Sequence, residues 1–337
     1  MKKVLLVAIL STLSVPVYAE SEELNVYSAR KSHLIKPLLD KFSNTYDIKV
    51  NLITSKADAL LKKLEVEGKN SPADILITTD AGRLHRAKNA GVLQAAITDK
   101  MNSKVAAHLQ DPENYWLALT TRARVIVYSK ERVNPSKISS YQDLADAKWK
   151  GKVCIRSSNN IYNQSLVASM IAHNGEKETA EWTKGLVKNL ARKPKGGDRD
   201  QIKAVAAGQC DLAVINTYYL GVMINGKDKA QQQAANKVAI LWPNQSSTGT
   251  HINISGIAIT KYAKNKKNAQ KLINFLLSDD SQKWYAEVNN EYPTVKGVSL
   301  SATLKGWGKF KEDNLGLYNL GLYNNKAVKI MDKAGWR

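Results

Sequence analysis

Cysteine, phenylalanine and histidine are scarce in this chain of 337 residues, with two, three and five of each. Two cysteines, Cys154 and Cys210, exclude a disulfide-dense scaffold and permit at most one internal bridge. The histidines, His33, His85, His108, His173 and His251, share no metal-ligand spacing. No Gly-X-Ser-X-Gly turn and no Walker-type loop occurs, and no nucleophile with its base can be recognised, so nothing marks the chain as an enzyme. A long apolar run is missing too: the most apolar stretch, Val4 to Val15, is interrupted by Ser11, Thr12 and Ser14. It falls short of the roughly 20 residues that a membrane-spanning helix needs. Acidic side chains are in deficit, 30 against 50 basic ones, for a formal charge of +20. Such a balance suggests an anionic partner. The lysines are scattered, however (Lys62-Lys63, Lys148, Lys150, Lys266-Lys267), and no basic run carries interleaved aromatics. The charge therefore reads as solvated surface with some attraction to the cell envelope, and no nucleic-acid partner is expected.

What is present begins with a leader. Met1-Lys2-Lys3 is a positive start, and the apolar stretch follows. Val17-Tyr18-Ala19 then offers small side chains at the two positions a signal peptidase reads, before an abrupt polar change at Glu20. This pattern predicts a secretory signal peptide over 1–19, cut after Ala19, and export into an oxidising compartment. Residues 20–337 are more than one hydrophobic core usually serves, so two domains are expected.

Strand-like and helix-like segments alternate along that stretch. Leu24–Tyr27, Ile48–Ile53 and Asp74–Thr78 read as strands, with helical spacing around Leu34–Phe42, Lys56–Glu67 and Asp80–Asn89. The second half repeats the scheme: strands at Arg124–Ser129, Val153–Arg156, Asp211–Ile215, Val238–Leu241 and Gly256–Ile259, and helices from about Asn163, over Asp198–Ala207, and from Lys264. Such repetition predicts an α/β protein whose mostly parallel sheets are covered by helices on both faces.

In such sheets ligands bind beyond the carboxyl ends of the strands. Tyr162 follows the Val153 strand, and the adjacent pair Tyr218-Tyr219 follows the Asp211 strand directly. At a strand-to-helix turn both hydroxyls of such a pair can converge, although one ring packing under the other is the plainer reading. Phenolates are hard oxygen donors suited to a hard trivalent cation. Arg122 stands where the chain passes between the halves. Gly196-Gly197-Asp198 before a helix reads as a turn with Asp198 as N-cap, with a phosphate cradle as the alternative. Cys154 and Cys210 both adjoin apolar runs, compatible with a bridge between neighbouring strands or with two buried thiols.

Several segments taken together carry a resemblance. They are Val26-Tyr27-Ser28-Ala29-Arg30, Asn70-Ser71-Pro72-Ala73-Asp74-Ile75-Leu76, Leu119-Thr120-Thr121-Arg122-Ala123-Arg124-Val125, Gly151-Lys152-Val153-Cys154-Ile155-Arg156-Ser157, Leu190 to Asp200, Tyr218-Tyr219 and Asn253-Ile254-Ser255-Gly256. In this order they resemble the bacterial periplasmic ferric-iron-binding proteins, the transferrin-like solute-binding components of iron ABC importers. The resemblance covers essentially everything after the leader.

It implies a two-lobe periplasmic binding protein fold (type II) with a hinge of crossing strands. Its lobe bounds would be 20–121, 122–250 and 251–337, the last returning to the first lobe and ending in the C-terminal helices. It implies Fe³⁺ held by Tyr162, Tyr218 and Tyr219. A synergistic anion such as carbonate would meet Arg122 and the turn bearing Arg30. It further implies a periplasmic monomer that delivers its cargo to an inner-membrane ABC permease.

One departure stands out: many relatives place a ligand or anion contact in the turn after the first strand, and here that turn reads Arg30-Lys31-Ser32-His33. Lys31 is a candidate anion contact and His33 a candidate fourth ligand. Two rival readings remain, a receptor for an oxyanion such as phosphate or sulfate and a periplasmic enzyme on the same fold. Three phenols are of no use to a bare anion, which favours iron.

Overall fold

The computed structural model describes residues 22–337, so the expected leader lies outside the described residues. The first half of the chain builds β1 (Glu23–Ser28), α1 (Lys36–Tyr46), β2 (Lys49–Thr54), α2 (Ala57–Glu67), β3 (Ile75–Thr79), α3 (Ala81–Asn89) and the short α4 (Asp99–Asn102). Local chemistry sets these limits. A proline stands in the first turn of α1 and Asp47 ends that helix in the left-handed conformation. Gly68, at φ 51, stops α2.

The 14-residue strand β4 (Trp116–Ser129) leads into the second half. There β5 (Val153–Cys154), α5 (Ile161–Lys188), α6 (Asp198–Ala206), β6 (Leu212–Asn216), α7 (Thr217–Asn225), α8 (Lys229–Asn236) and β7 (Val238–Leu241) follow in turn. The long α5 is two helical stretches meeting at Gly175, whose φ of 83 breaks the helix. The chain then returns through β8 (Ile252–Ile259), α9 (Lys266–Leu276), α10 (Asp279–Val288) and β9 (Tyr292–Pro293). It ends in α11 (Ala302–Gly306), α12 (Tyr318–Leu322) and α13 (Asn324–Lys333).

The sheet order is β2-β1-β3-β8-β4-β6-β5, with β7 and β9 also paired to β4. Among the named strands, parallel pairing is confined to β1–β2, β1–β3 and β5–β6. The long β4 and β8 meet their neighbours antiparallel, so the centre of this mixed sheet is less parallel than the βαβ repetition suggests. Trp116 to Ala123 of β4 pair with β8, whereas Arg124 to Tyr128 pair with β6. The change of partner falls between Ala123 and Arg124, and β4 and β8 are the crossing strands.

Two large apolar clusters form the core. One gathers Val26, Leu39, Ile77 and Leu272 and runs on into the second half through Ile202, Ile215 and Met223. The other gathers Leu166, Met170, Leu186 and Val214, and takes in Ala327, Ile330, Met331 and Trp336 from the C-terminus. The last helix thus packs on α5. Cys154 and Cys210 form a disulfide, with Cα atoms 5.9 Å apart, beside the parallel pair β5–β6. Among the described residues no helix is long and apolar enough to cross a membrane.

Candidate functional site

Strand β6 runs into α7 without a loop: Asn216 is both its last residue and the helix N-cap. Tyr218 and Tyr219 therefore occupy the first turn of α7, where adjacent side chains diverge by about 100° instead of the 180° of a strand. Their rings lie 4.2 Å apart, centroid to centroid, at 32°. Tyr162 occupies the first turn of α5, and the Tyr218 hydroxyl donates to the Tyr162 hydroxyl at 3.4 Å. The three residues foreseen from sequence thus come together, on two helix N-termini, where the peptide dipoles favour negative charge.

All three line one cleft of about 690 Å³ with residues from both halves of the chain. Burial pushes the Tyr218 phenol well above its ordinary value; Tyr162 and Tyr219 add to this, and Arg122 opposes it. Tyr219 is pushed up to about 12, again mainly by burial, then by Tyr162 and Asp198.

The cleft floor comes from the crossing strands. Arg122 lies on β4 and is buried, its guanidinium carbon 5.6 Å from the Tyr218 ring centre. Its Nη2 donates to Glu291 Oε1 at 3.0 Å. Arg30, also buried, donates through Nη2 to Glu291 Oε2 at 3.0 Å. Burial alone would lower the Arg122 guanidinium's pKa, but Glu291, Tyr218 and Tyr162 carry it above its usual value. Burial likewise opposes ionisation of Glu291, yet Arg30 and Arg122 hold it below the ordinary carboxylate range.

A second buried carboxylate, Asp198, accepts from the Asn216 backbone N–H at 2.9 Å and pairs at 3.4 Å with both Arg124 and Arg156. Asp198 is not the N-cap that the sequence suggested. That place belongs to Gly197, whose N–H donates to Asp200 at 2.7 Å. Asp198 turns inward to meet two guanidinium groups instead.

Lys31 and His33 lie in and beside a short 3₁₀ turn, Ser32–Leu34; both are exposed and line the cleft from the first half of the chain. Sequence reasoning missed Glu291, Asp198 and Arg156 as cleft residues. Among the described residues no group of three or more His, Cys, Asp or Glu is placed to hold a metal ion. Glu291 and Asp198 are tied up with arginines, and the three phenols are the further oxygen donors that the cleft gathers.

A two-lobe α/β fold with a polar cleft over crossing strands is the architecture of solute-binding proteins. The sequence matches the family described as bacterial extracellular solute-binding protein over residues 70–311, and the chain belongs to that family, which binds solutes and is not one of enzymes. It is 45% identical over 318 residues to iron uptake protein A1 of a Synechocystis species, covering 94% of this chain and 88% of that protein. It is 26% identical to the major ferric iron-binding protein of Neisseria meningitidis, over 98% of both chains. Among solved structures, that of the Trichodesmium protein (IdiA, FutA) in complex with iron and citrate ligands superimposes with a TM-score of 0.91 at 46% identity, covering 94% of this chain and all of that one.

Proposed function

We propose that this protein captures ferric iron in the periplasm and delivers it to an inner-membrane ABC importer. Tyr162, Tyr218 and Tyr219 serve as phenolate ligands, and a small anion such as carbonate, held as hydrogencarbonate, rests against Arg122. The observation that carries this reading is the gathering of three phenols on the N-termini of α5 and α7 in one cleft. Ferric iron prefers hard anionic oxygens, and the donor set fits it. The Nε and Nη1 of Arg122 have no partner although buried, so an anion beside the metal would find donors there.

Arg30 supports that floor, Lys31 extends the positive wall, and His33 remains a candidate fourth ligand from the first lobe. Lobe bounds of 20–121, 122–250 and 251–337, with the C-terminal helices, are proposed with this reading, as are a monomeric state and entry to the periplasm by cleavage after Ala19. The relatives named for ferric iron support it. The second reading, a receptor for phosphate or sulfate, draws on the same unpartnered Arg122 nitrogens but leaves the phenols without a task.

Purified protein loaded with Fe³⁺ is expected to show a broad visible phenolate-to-iron charge-transfer band. Tyr218→Phe, Tyr219→Phe or Tyr162→Phe should each shift or abolish it and weaken binding by orders of magnitude. If all three variants bound iron like the parent protein, the oxyanion reading would replace this one.

A further inference from the structure

The cleft floor holds three charged side chains almost closed off from water: Arg30, Arg122 and Glu291 are 4%, 1% and 3% exposed. Glu291 joins the other two. Its Oε2 accepts from Arg30 Nη2 at 3.0 Å and from the Thr120 hydroxyl at 2.8 Å. Its Oε1 accepts from Arg122 Nη2 at 3.0 Å and from Arg30 Nη1 at 3.3 Å. Two cations and one anion leave this trio with a single positive charge. Ser255 accepts from both arginines as well, but contributes no charge.

The turn that presents this carboxylate is held by α7. Asn290, in the left-handed conformation at φ 55, accepts at 2.7 Å from the Asn225 side chain at the end of α7. Gly221 leaves room for that turn: a Cβ there would lie 2.7 Å from the Asn290 side chain. The helix that carries Tyr218 and Tyr219 therefore also braces the turn that presents Glu291.

We propose that Glu291 is a specificity-determining residue: it lowers the charge of the buried cleft floor from plus two to plus one, the exposed Lys31 of the wall aside, so that the cleft accepts a singly charged oxyanion beside its cargo in preference to a doubly charged one. This rests on the ferric reading above. A trivalent cation on three phenolates is neutral, and a monoanion on the free edge of Arg122 then balances the trio. A dianion would leave one uncompensated negative charge in a nearly dry place, which is costly. Without Glu291 the floor would carry two positive charges and suit a dianion better.

The test uses the iron-loaded protein, stripped of added anion and titrated with hydrogencarbonate or with sulfate while the visible band is followed. The parent protein should favour hydrogencarbonate. Glu291→Gln should bind sulfate more tightly, by about tenfold or more for a unit charge removed at an effective dielectric constant near 20. Its preference should move toward the dianion, and Glu291→Asp, which keeps the charge, should restore the parent order. An unchanged preference in Glu291→Gln overturns the proposal.

If Glu291→Gln fails to fold, Arg30→Gln can be compared with Arg30→Gln/Glu291→Gln, whose floors carry zero and one positive charge. The double variant must hold both anions more tightly; equal affinities overturn the proposal. Absence of the band in the parent protein would instead overturn the ferric reading, which separates the two failures.

Discussion

Protons and iron compete for the same oxygens in the proposed site, so acidification from pH 8 to pH 6 should weaken capture steeply. Tyr219 is pushed up to about 12 and Tyr218 stands well above the ordinary tyrosine value, so both are protonated throughout this range. For a phenol at 12, losing its proton at pH 7 costs about 7 kcal/mol, at about 1.4 kcal/mol per pH unit. The ion must outbid that cost, and the cost rises as the pH falls. Each of these two phenols therefore contributes one released proton and about a tenfold loss of affinity per pH unit, together about a hundredfold. Tyr219→Phe removes one of the two protons and should flatten the slope by about tenfold per unit. Competition with a chelator of known protonation behaviour gives the slope, and a pH-stat counts the protons. Loading without proton release, or a slope equal in parent and variant, would refute phenolate coordination by these residues.

Three further outcomes follow from features of the fold. The disulfide spans 56 residues, so replacing Cys154 and Cys210 by alanine should cost about 4 kcal/mol on the chain-entropy account, read from urea denaturation. Burial, opposed by Asp313 and aided by Arg124 and His173, pulls the imidazole of His251 down to about 4. The unfolded chain then takes up this proton first, so stability present above pH 6.5 should drain away as the pH falls toward 4. The loss is about 2 kcal/mol between pH 7 and pH 5, and His251→Gln should remove that part of the slope. Tyr218→Phe gives up one hydroxyl contact, at 3.4 Å, and should leave the melting temperature of the iron-free protein within a few degrees of the parent's.

Local patterns made much of this molecule readable. Tyr218-Tyr219 sits directly after an apolar strand, a position that made the pair a candidate, and the resemblance singled it out. Helix ends at Gly68 and Asp80 follow from backbone and capping chemistry. What escaped was long-range pairing. Glu291 meets Arg30 across 261 residues, and no periodicity links them. Asp198 looked like a cap because caps are local, while its partners Arg124 and Arg156 lie 74 and 42 residues away. Only the second half of β4 was read as a strand: the run Thr120-Thr121-Arg122 is polar, yet it is buried in the hinge. In β8, Asn253 and Ser255 hid the first half in the same way.

The single strand β4 also bears on how the chain can be taken apart. Its first part, Trp116 to Ala123, completes one half of the sheet and the remainder completes the other, with no linker between. A fragment ending before Trp116 would lack both β4 and β8 and leave β3 with a bare edge, and a fragment starting at Arg124 would carry half a strand whose other half belongs to the missing piece. Neither half is an independent building block. Fragment complementation or a split-reporter design should therefore cut in an exposed stretch of the second half, such as Lys227-Asp228 between α7 and α8, and keep 116–129 whole.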